Sequence, residues 1–505
     1  MIAKVLSAAI WGLEVIPIEV EVEVSRGLPV FLIVGLPDQA VQESTERVRS
    51  AIKCLGVPFP SGRIVTNMAP ADLKKKGPHL DLAIALAILV HEGVLSQKQI
   101  SNKLFLGELS LSGNLRQVEG VLPVSLSIDK LKASELIVPY FNLNEARLAK
   151  NTISRGFHNL KEVVDYLRDD ILLAQDNNKT EETITVGNEL DFEDIKGQRL
   201  AKRALEISSA GGHNVLLIGS PGSGKTLLCR AYPTIMPLLT EEESLEVSKI
   251  YSVSGLLKKG SLIKVPPFRS PHHTTSTVAL IGGGTIPKPG EVTLAHRGIL
   301  FLDELTEFRK DSIEALRQPL EDGQVTISRV WGSLTYPSRF TFICAMNPCS
   351  CGYYNDSIKP CNCSPAEIKK HRSKISGPII DRIDINLEVP SLNDKELKND
   401  NPGESSKLIR QRVQTAREIQ QERYKNEAFI LNSQLNPKAI KKYIHLSGDA
   451  KKLLEMGSSR LGLSGRGYDR VLKVATTIAD LEGSNMVKAE HIGEALSYRI
   501  NLSYE

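Results

Sequence analysis

A glycine-rich segment in the middle of the chain has the residue types and spacing that bind phosphate. Residues 219–226 read GSPGSGKT, and a short apolar run, residues 214–218, precedes them. Between a strand and a helix, the pattern G-x-x-x-x-G-K-[ST] turns backbone N–H groups toward a polyphosphate, with its lysine near the β- and γ-phosphates and its hydroxyl on Mg²⁺. The sequence therefore predicts a nucleoside triphosphate site made by Gly219, Ser220, Pro221, Gly222, Ser223, Gly224, Lys225 and Thr226.

Two further apolar runs end in polar residues suited to the same chemistry. Residues 298–304 read GILFLDE. After a phosphate loop, Asp303 is expected to hold the hydration shell of Mg²⁺ and Glu304 to polarise the attacking water. The run 340–345 leads to Asn347, whose amide can hydrogen-bond the γ-phosphate or orient the water without adding charge. The alternative for Asn347 is a turn residue that precedes a proline.

Two arginines near the end of the chain are candidates for stabilising phosphate charge. A guanidinium at Arg382 that reaches a neighbouring subunit's γ-phosphate would stabilise the transition state. The alternative is a structural ion pair with Asp381 or Asp384. Arg466, at the start of a predicted C-terminal helix, is suited to contact phosphate from a lid, and Arg470 one helical turn later is the competing choice.

Four of the seven cysteines form a compact group, C-x-C followed after nine residues by a second C-x-C. Four thiolates in a polar loop suit tetrahedral Zn²⁺, and this arrangement favours zinc over free or redox-active thiols. Because the group lies between Asn347 and Arg382, a zinc ion there would set the geometry between them. The candidate zinc ligands are Cys349, Cys351, Cys361 and Cys363.

Two inserts are consistent with a device that grips a polymer. Residues 324–336 predict a β-hairpin with Gly332 near its tip. Arg329 and Trp331 beside the tip are suited to contact backbone phosphate and to stack on bases, and the alternative is an ordinary hairpin with an edge tryptophan. In the other insert, residues 272–273 are adjacent histidines; their side chains would diverge in an extended segment, which favours a loop role over a metal site.

The bulk composition sets limits on the class of protein. The 505 residues suffice for about three domains. With 41% hydrophobic and 24% charged residues, the composition is typical of a soluble globular protein, and a net charge of +4 neither requires nor excludes nucleic acid. No apolar run reaches the about 20 residues that span a membrane. The sequence therefore predicts a cytoplasmic protein without a membrane partner.

The pattern of the chain predicts an α/β protein of several domains. Residues 18–24 alternate as a strand with one wet face, and residues 81–91 predict a buried helix. Residues 169–190 are polar and typical of a linker, and a second polar stretch at 393–406 precedes an almost purely helical tail. These shifts predict domains at 1–170, 191–390 and 391–505, with a linker at 171–190.

Together these motifs resemble the AAA+ ATPases of the magnesium-chelatase branch. Residues 267–284 and 289–308 are specific to the ComM/YifB family of competence proteins, and the resemblance to that family covers essentially the whole chain. It implies an α/β fold, with an AAA+ P-loop core and a C-terminal helical lid. It also implies a ring, usually a hexamer, with ATP at the subunit interfaces.

Matching motif positions carries the family's roles onto this sequence. The resemblance assigns Lys225 and Thr226 to the phosphate loop, and Asp303 and Glu304 to Mg²⁺ and water. It assigns the sensor role to Asn347, the arginine finger to Arg382 and the lid sensor to Arg466.

The N-terminal part resembles the protease domain of the Lon family, an α/β domain of the ribosomal S5 domain 2-like type. In that family the catalytic serine follows Gly-Pro, whereas here Gly77-Pro78 precedes His79. The segment where the partner lysine should fall, residues 119–122, has none. Peptidase activity is therefore not expected, His79 is interpreted as a packed or capping residue, and the domain is expected to serve assembly or DNA contact.

The resemblance implies a homo-hexameric ATPase, with ATP and Mg²⁺ as ligands, that acts on single-stranded or branched DNA. Helicase or branch-migration activity in natural transformation and homologous recombination is the expected function. The alternative is a magnesium-chelatase-type motor that remodels a protein partner. An ATP-dependent protease is disfavoured because the catalytic dyad is missing.

Overall fold

The computed structural model describes residues 2–75, 77–169, 190–258, 260–284, 287–329, 332–356, 358–392, 403–427 and 429–499. The chain divides into two compact units. The first comprises Met1–Thr183 with Ser244–Ile263, and the second comprises Ile184–Glu243 with Lys264–Glu505. Of the predicted linker, residues 171–190, only Leu190 is among the described residues.

The first unit is built on a seven-stranded mixed sheet. Ile18, Val20 and Val22 are buried while the glutamates between them are not, as the alternation predicted. The sheet order is β3-β4-β2-β1-β5-β8-β9. Its elements are β1 (Ala3–Trp11), β2 (Glu14–Ser25), β3 (Val30–Val34), α1 (Gln39–Gln42), α2 (Ser44–Cys54), β4 (Arg63–Ala69), α3 (Asp81–His91), α4 (Gln97–Ile100), β5 (Lys103–Phe105), β6 (Glu108–Leu109), β7 (Leu115–Arg116), α5 (Val121–Leu126), β8 (Glu135–Pro139), α6 (Leu143–Ala146), β9 (Ile153–Phe157) and α7 (Leu160–Asp169).

Helix α3 forms the centre of this unit's core. Its apolar residues from Leu82 to Leu89 are all buried, which confirms the predicted buried helix. The one charged group at its start, Asp81, is also buried and is paired with Arg47 at 2.6 Å. The Asp81 carboxylate further accepts a hydrogen bond from the Ser44 hydroxyl, so the buried charge is fully partnered.

The second unit is built on a five-stranded parallel sheet in the order β11-β14-β17-β10-β18. Its three central strands are buried on both faces, which explains their continuous apolar sequences. Elements from here to the end of the sheet are α8 (Arg199–Gly211), β10 (Val215–Ile218), α9 (Lys225–Ala231), α10 (Glu241–Val253), β11 (Phe268–Arg269), α11 (Thr277–Ile281), β12 (Gly282–Gly283), β13 (Lys288–Pro289), α12 (Glu291–Leu294), β14 (Ile299–Leu302), α13 (Lys310–Ala315), α14 (Arg317–Asp322), β15 (Gln324–Arg329), β16 (Gly332–Pro337), β17 (Thr341–Met346), α15 (Pro365–Arg372), α16 (Gly377–Ile380) and β18 (Ile385–Glu388).

The described part of the C-terminal region is helical, as predicted, and belongs to the same unit as the parallel sheet. An ion pair between Arg423 and the buried Asp480, at 2.5 Å, joins two of its helices. Among the described residues, no helix combines the length and apolarity needed to cross a membrane. The helices are α17 (Ser406–Arg423), α18 (Pro437–Tyr443), α19 (Gly448–Leu461), α20 (Gly465–Leu481) and α21 (Ala489–Ser497).

One segment packs with the first unit although it lies within the sequence of the second. The segment Ser244–Ile263 contains most of α10. Its Ser252 hydroxyl donates to Glu145 Oε1 at 2.6 Å, and its Ser252 carbonyl accepts from the Gly120 N–H at 3.1 Å. The sequence did not predict that this segment belongs to the first unit, because its residue pattern does not indicate which unit it contacts.

Candidate functional site

The phosphate loop connects the carboxyl end of β10 to the start of α9. Two of its glycines are required by geometry: a Cβ at Gly219 would lie 2.3 Å from the Val389 carbonyl oxygen, and Gly224 has a φ of +89°. The structure thus places residues 219–226 in the strand–loop–helix context that the sequence predicted. Their backbone N–H groups stand at the N-terminus of α9, where an anion is favoured.

Lys225 is held at the mouth of this loop. Its Nζ donates to the carbonyls of Gly219 and Ser220, at 2.6 and 2.8 Å, and its side chain is buried. Burial lowers the pKa of Lys225, since removing water disfavours the charged form, whereas Asp303 and Glu304 act in the opposite direction. The third partner of Lys225 Nζ is the Ser223 hydroxyl at 3.4 Å, so all its hydrogen-bond partners are neutral loop oxygens. A buried ammonium without an anionic hydrogen-bond partner at an anion-binding loop fits a triphosphate ligand.

Thr226 and Asp303 are brought together from different elements. Asp303 follows β14, and its Oδ2 accepts a hydrogen bond from the Thr226 hydroxyl at 2.7 Å. Adjacent hydroxyl and carboxylate oxygens are the donors that Mg²⁺ prefers, so the pair fits that metal. The two residues were predicted from separate motifs, and the fold joins them.

Glu304 lies just after β14 in a left-handed backbone conformation. It has a φ of +51°, and its N–H donates to Asp303 Oδ1 at 3.0 Å. Its carboxylate is 60% exposed and lies 3.8 Å from His273 Nδ1. The His272 ring packs on that of His273, with centroids 4.0 Å apart, so the prediction that the two side chains diverge is wrong. The two histidines lie beside the predicted water-polarising group.

Asn347 lies at the same edge of the sheet, directly after β17, the strand between β14 and β10. Its backbone carbonyl accepts a hydrogen bond from His371 Nε2 at 3.2 Å, and the following Pro348 carbonyl accepts one from Arg372 at 3.2 Å. Burial lowers the pKa of His371, so the neutral, Nε2-protonated ring is favoured near pH 7. Helix α15 therefore fixes the backbone at the predicted sensor residue.

Arg382 lies at the opposite edge of the sheet. It precedes β18, which runs parallel to β10, and its carbonyl accepts a hydrogen bond from Asn214 Nδ2 at 2.8 Å just before β10 begins. Its guanidinium pairs with Glu321 and donates to the Pro378 carbonyl at 2.8 Å. The pairing with Asp381 or Asp384 that sequence analysis weighed is thus replaced by one with Glu321.

The C-terminal arginines lie on the same face as Arg382. Arg382, Arg466 and Arg470 line one cavity of about 750 Å³ within the second unit. Arg470 donates to the Ile383 carbonyl at 2.9 Å and lies 3.5 Å from Asp384, whereas Arg466 is exposed. Of the two choices left open by the sequence, Arg470 is thus engaged in the fold and Arg466 is accessible.

The four cysteines converge. Their sulfur atoms lie within 4.8 Å of one another, with Cys349 3.3 Å from Cys351 and 3.7 Å from Cys361, and Cys351 3.6 Å from Cys361. Tetrahedral Zn²⁺ with bonds of about 2.3 Å would need sulfur separations near 3.8 Å. Hydrogen bonds from the Tyr353 and Asn362 N–H groups lower the pKa of Cys351 to about 6, which favours a thiolate.

Strands β15 and β16 form the hairpin that the sequence predicted. Trp331 and the side chain of Arg329, the candidate DNA contacts, lie outside what the structure describes.

His79, in the first unit, is a packed residue, as the sequence analysis interpreted it. Its Nε2 donates a hydrogen bond to the Ala8 carbonyl at 3.1 Å, and burial lowers its pKa.

Gln198 and Asp356 support the phosphate loop from outside, and no motif predicted either residue. Gln198 Nε2 donates to the carbonyls of Ser223 and Pro390, at 3.0 and 2.7 Å. Asp356, in the segment between the two cysteine pairs, accepts hydrogen bonds from the hydroxyls of Ser220 and Ser391. No motif spacing signals these contacts, because each one joins residues far apart in the chain.

A parallel sheet that bears a phosphate loop, paired carboxylates and a polar sensor at one edge, followed by a helical region, defines an AAA+ protein. Family models support this class. "Magnesium chelatase, subunit ChlI" matches residues 191–397, "Subunit ChlI of Mg-chelatase" matches 20–142, and "Magnesium chelatase, subunit ChlI C-terminal" matches 403–499.

Whole-chain relatives define the family more narrowly. Competence protein ComM of Haemophilus influenzae is 41% identical over 502 residues, which cover 99% of this chain and 97% of that protein. Protein YifB of Escherichia coli is 40% identical over 490 residues, or 97% and 95% of the two chains. The magnesium-chelatase subunit ChlI of Guillardia theta is 24% identical over 233 residues, or 41% and 59%. The chain belongs to the ComM/YifB family, and its AAA+ class implies ATP and Mg²⁺ as ligands.

Proposed function

We propose that this chain is the subunit of a homo-hexameric ATPase motor that acts on single-stranded or branched DNA. Helicase or branch-migration activity in natural transformation and homologous recombination is the proposed role. The relative named a competence protein, similar along its whole length, supports the setting. The proposed domains are residues 1–170, a linker at 171–190, the AAA+ core at 191–390 and the lid at 391–505.

The position of the arginines carries the proposal of a ring. Arg382 precedes β18, whereas the phosphate loop follows the parallel neighbour β10. The two ends of a four-residue strand lie about 10 Å apart, so Arg382 lies at the edge of the sheet opposite its own chain's loop. Exposed Arg466 lines the same cavity. Both guanidiniums are therefore suited to a triphosphate held by a neighbouring copy, which a ring supplies.

The hydrolytic step follows from the other edge of the sheet. In the proposed step, the oxygen of a water molecule bonds to the γ-phosphorus while the bond from that phosphorus to the ADP oxygen breaks. Glu304 accepts the water proton, Lys225 and the loop N–H groups hold the phosphate oxygens, and Asn347 orients the water. Thr226 and Asp303 would hold Mg²⁺, which would supply neutralisation of phosphate charge.

Glu304→Gln is expected to lower ATP turnover by at least about a hundredfold while ATP still binds, because the amide cannot accept the water proton. Turnover is measured by phosphate release, and binding with a fluorescent ATP analogue. Lys225→Ala should instead lose binding, since the loop then lacks its buried cation. Glu307→Gln, three residues away and paired with Lys374 at 3.3 Å, is the matched control and should keep wild-type turnover. Full turnover by Glu304→Gln would refute the assigned role.

Mixing two inactive variants tests whether Arg382 acts between subunits. Arg382→Ala alone should lower turnover by about a thousandfold, and Lys225→Ala alone should be inactive. Mixed rings contain interfaces that join an intact phosphate loop from one variant to an intact Arg382 from the other. Turnover is therefore expected to recover on mixing, compared with each variant alone at the same total concentration. No recovery in rings shown to be mixed would contradict action in trans.

DNA stimulation tests the substrate. ATP turnover is expected to rise with single-stranded or forked DNA, and the effect should weaken as salt rises from about 50 to 200 mM, because phosphate contacts release counterions. Turnover and DNA binding are measured on the same preparation, with electron microscopy to count subunits. Absence of both binding and stimulation at about 50 mM salt would exclude DNA as the substrate. Stimulation by a protein partner would then favour the chelatase-type alternative, which the family models support.

We also propose that the four converging cysteines hold Zn²⁺, which would bind them as thiolates. Elemental analysis of the purified chain should find about one zinc per chain, and Cys351→Ser and Cys361→Ser should each reduce it, because a tetrahedral structural site needs all four ligands. Cys54→Ser removes an exposed cysteine of the first unit and serves as the control. Well under one equivalent of zinc after incubation with the metal would indicate free thiols.

A further inference from the structure

The segment that carries the four cysteines packs directly on the phosphate loop. A Cβ at Gly352 would lie 2.8 Å from Pro221 Cδ, so the Pro221 ring lies against the Gly352 backbone and leaves no room for a side chain there. Gly352 is itself buried and follows Cys351, a candidate metal ligand. The position of Pro221 is therefore tied to the shape that the cysteine segment adopts.

Asp356 forms a second link between the cysteine segment and the phosphate loop. Its Oδ2 accepts hydrogen bonds from the Ser220 hydroxyl in the phosphate loop and from the Ser391 hydroxyl, the latter at 2.6 Å. Its Oδ1 accepts from the N–H groups of Ile358 and Lys359, both at 2.8 Å. The Ser220 and Ser391 hydroxyls, followed by these two N–H groups, hold the pKa of Asp356 well below its usual range, so it is an anion throughout the working pH range.

The carboxylate thus joins three parts of the fold: the cysteine segment, the phosphate loop and the chain that follows β18. Asp356 lies midway between Cys351 and Cys361, in a stretch whose described residues form only turns and bends. Regular secondary structure therefore does not fix this stretch. The sulfurs of Cys349, Cys351 and Cys361 converge at the two ends of this stretch, 3.3 to 3.7 Å apart. Four thiolates at such distances repel one another unless a cation or protons neutralise them.

We propose that Zn²⁺ at the four thiolates fixes Asp356, and that Asp356 in turn fixes Ser220 and Pro221, so that the affinity of the phosphate loop for ATP depends on the metal. This inference rests on the zinc site proposed above and gives it a role in nucleotide binding. A preformed loop binds more tightly because the free protein already holds its N–H groups in place. Asp356 is a positioning residue, since it contacts the loop and not the ligand.

The experiment compares metal content with ATP affinity in the full-length chain. Wild-type protein, before and after zinc is removed with a chelator, is titrated with a fluorescent ATP analogue. Removal is expected to weaken binding by roughly tenfold, the size of one lost charge-assisted hydrogen bond. Restoring zinc should restore the affinity. Cys54→Ser, treated in the same way, controls for effects of the chelator on cysteines outside the cluster.

Asp356→Ala separates the link from the metal. This variant should keep about one zinc per chain and yet bind ATP as weakly as the zinc-free wild type. Chelation should then weaken it no further, because the same link cannot be lost twice. Asp129→Ala, an exposed aspartate of the first unit, is the matched control. If Asp356→Ala fails to fold by circular dichroism, Ser220→Ala cuts the same hydrogen bond from the other side.

The outcomes separate this inference from the proposals beneath it. A chain that holds zinc and hydrolyses ATP, but binds the analogue equally well after chelation, overturns the coupling alone. Additive losses from chelation and Asp356→Ala would also overturn it, since they would mean independent effects. A chain that binds no zinc refutes the zinc site and this inference together, while its ATP turnover still tests the motor separately.

Discussion

The parallel direction of β10, β14, β17 and β18 is the constraint on which the site depends. Because these strands run the same way, everything that follows a strand meets at one edge of the sheet and everything that precedes a strand meets at the other. The phosphate loop, the carboxylate pair and Asn347, the candidate sensor, all follow strands. Arg382 precedes one, which places it at the edge opposite its own chain's phosphate loop.

The fold around the phosphate loop holds a buried positive charge whose burial costs free energy. Lys225 is a buried cation whose charge burial disfavours, and its described partners are neutral loop oxygens. The loop itself is supported from outside by Gln198 and Asp356 and closely approached by Val389. Such external support suits a site whose ligand supplies the missing negative charge only when it binds.

The features that could be predicted from the sequence all depend on residues that are neighbours in the chain. The alternation around Val20, the apolar run of α3 and the glycine spacing of the loop are read from neighbouring residues, and the structure has each of them. The partner of Arg382, the attachment of the segment Ser244–Ile263 to the first unit, and the role of Asp356 were not predicted. Each depends on a contact between segments that are far apart in the sequence, and no periodicity or motif predicts such a contact.

The pairing of Arg382 with Glu321 is compatible with a role in a neighbouring site. Glu321 is 58% exposed, and an ion pair with so exposed a partner contributes about 0–1 kcal/mol, so releasing the guanidinium costs little. Arg382 is itself only 12% exposed, and its buried Nε has no hydrogen-bond partner among the described residues. A planar guanidinium with an unused donor gains most from a multidentate anion such as a phosphate. The pair thus holds the arginine in a defined position, and in the proposed ring a stronger anionic partner could replace Glu321.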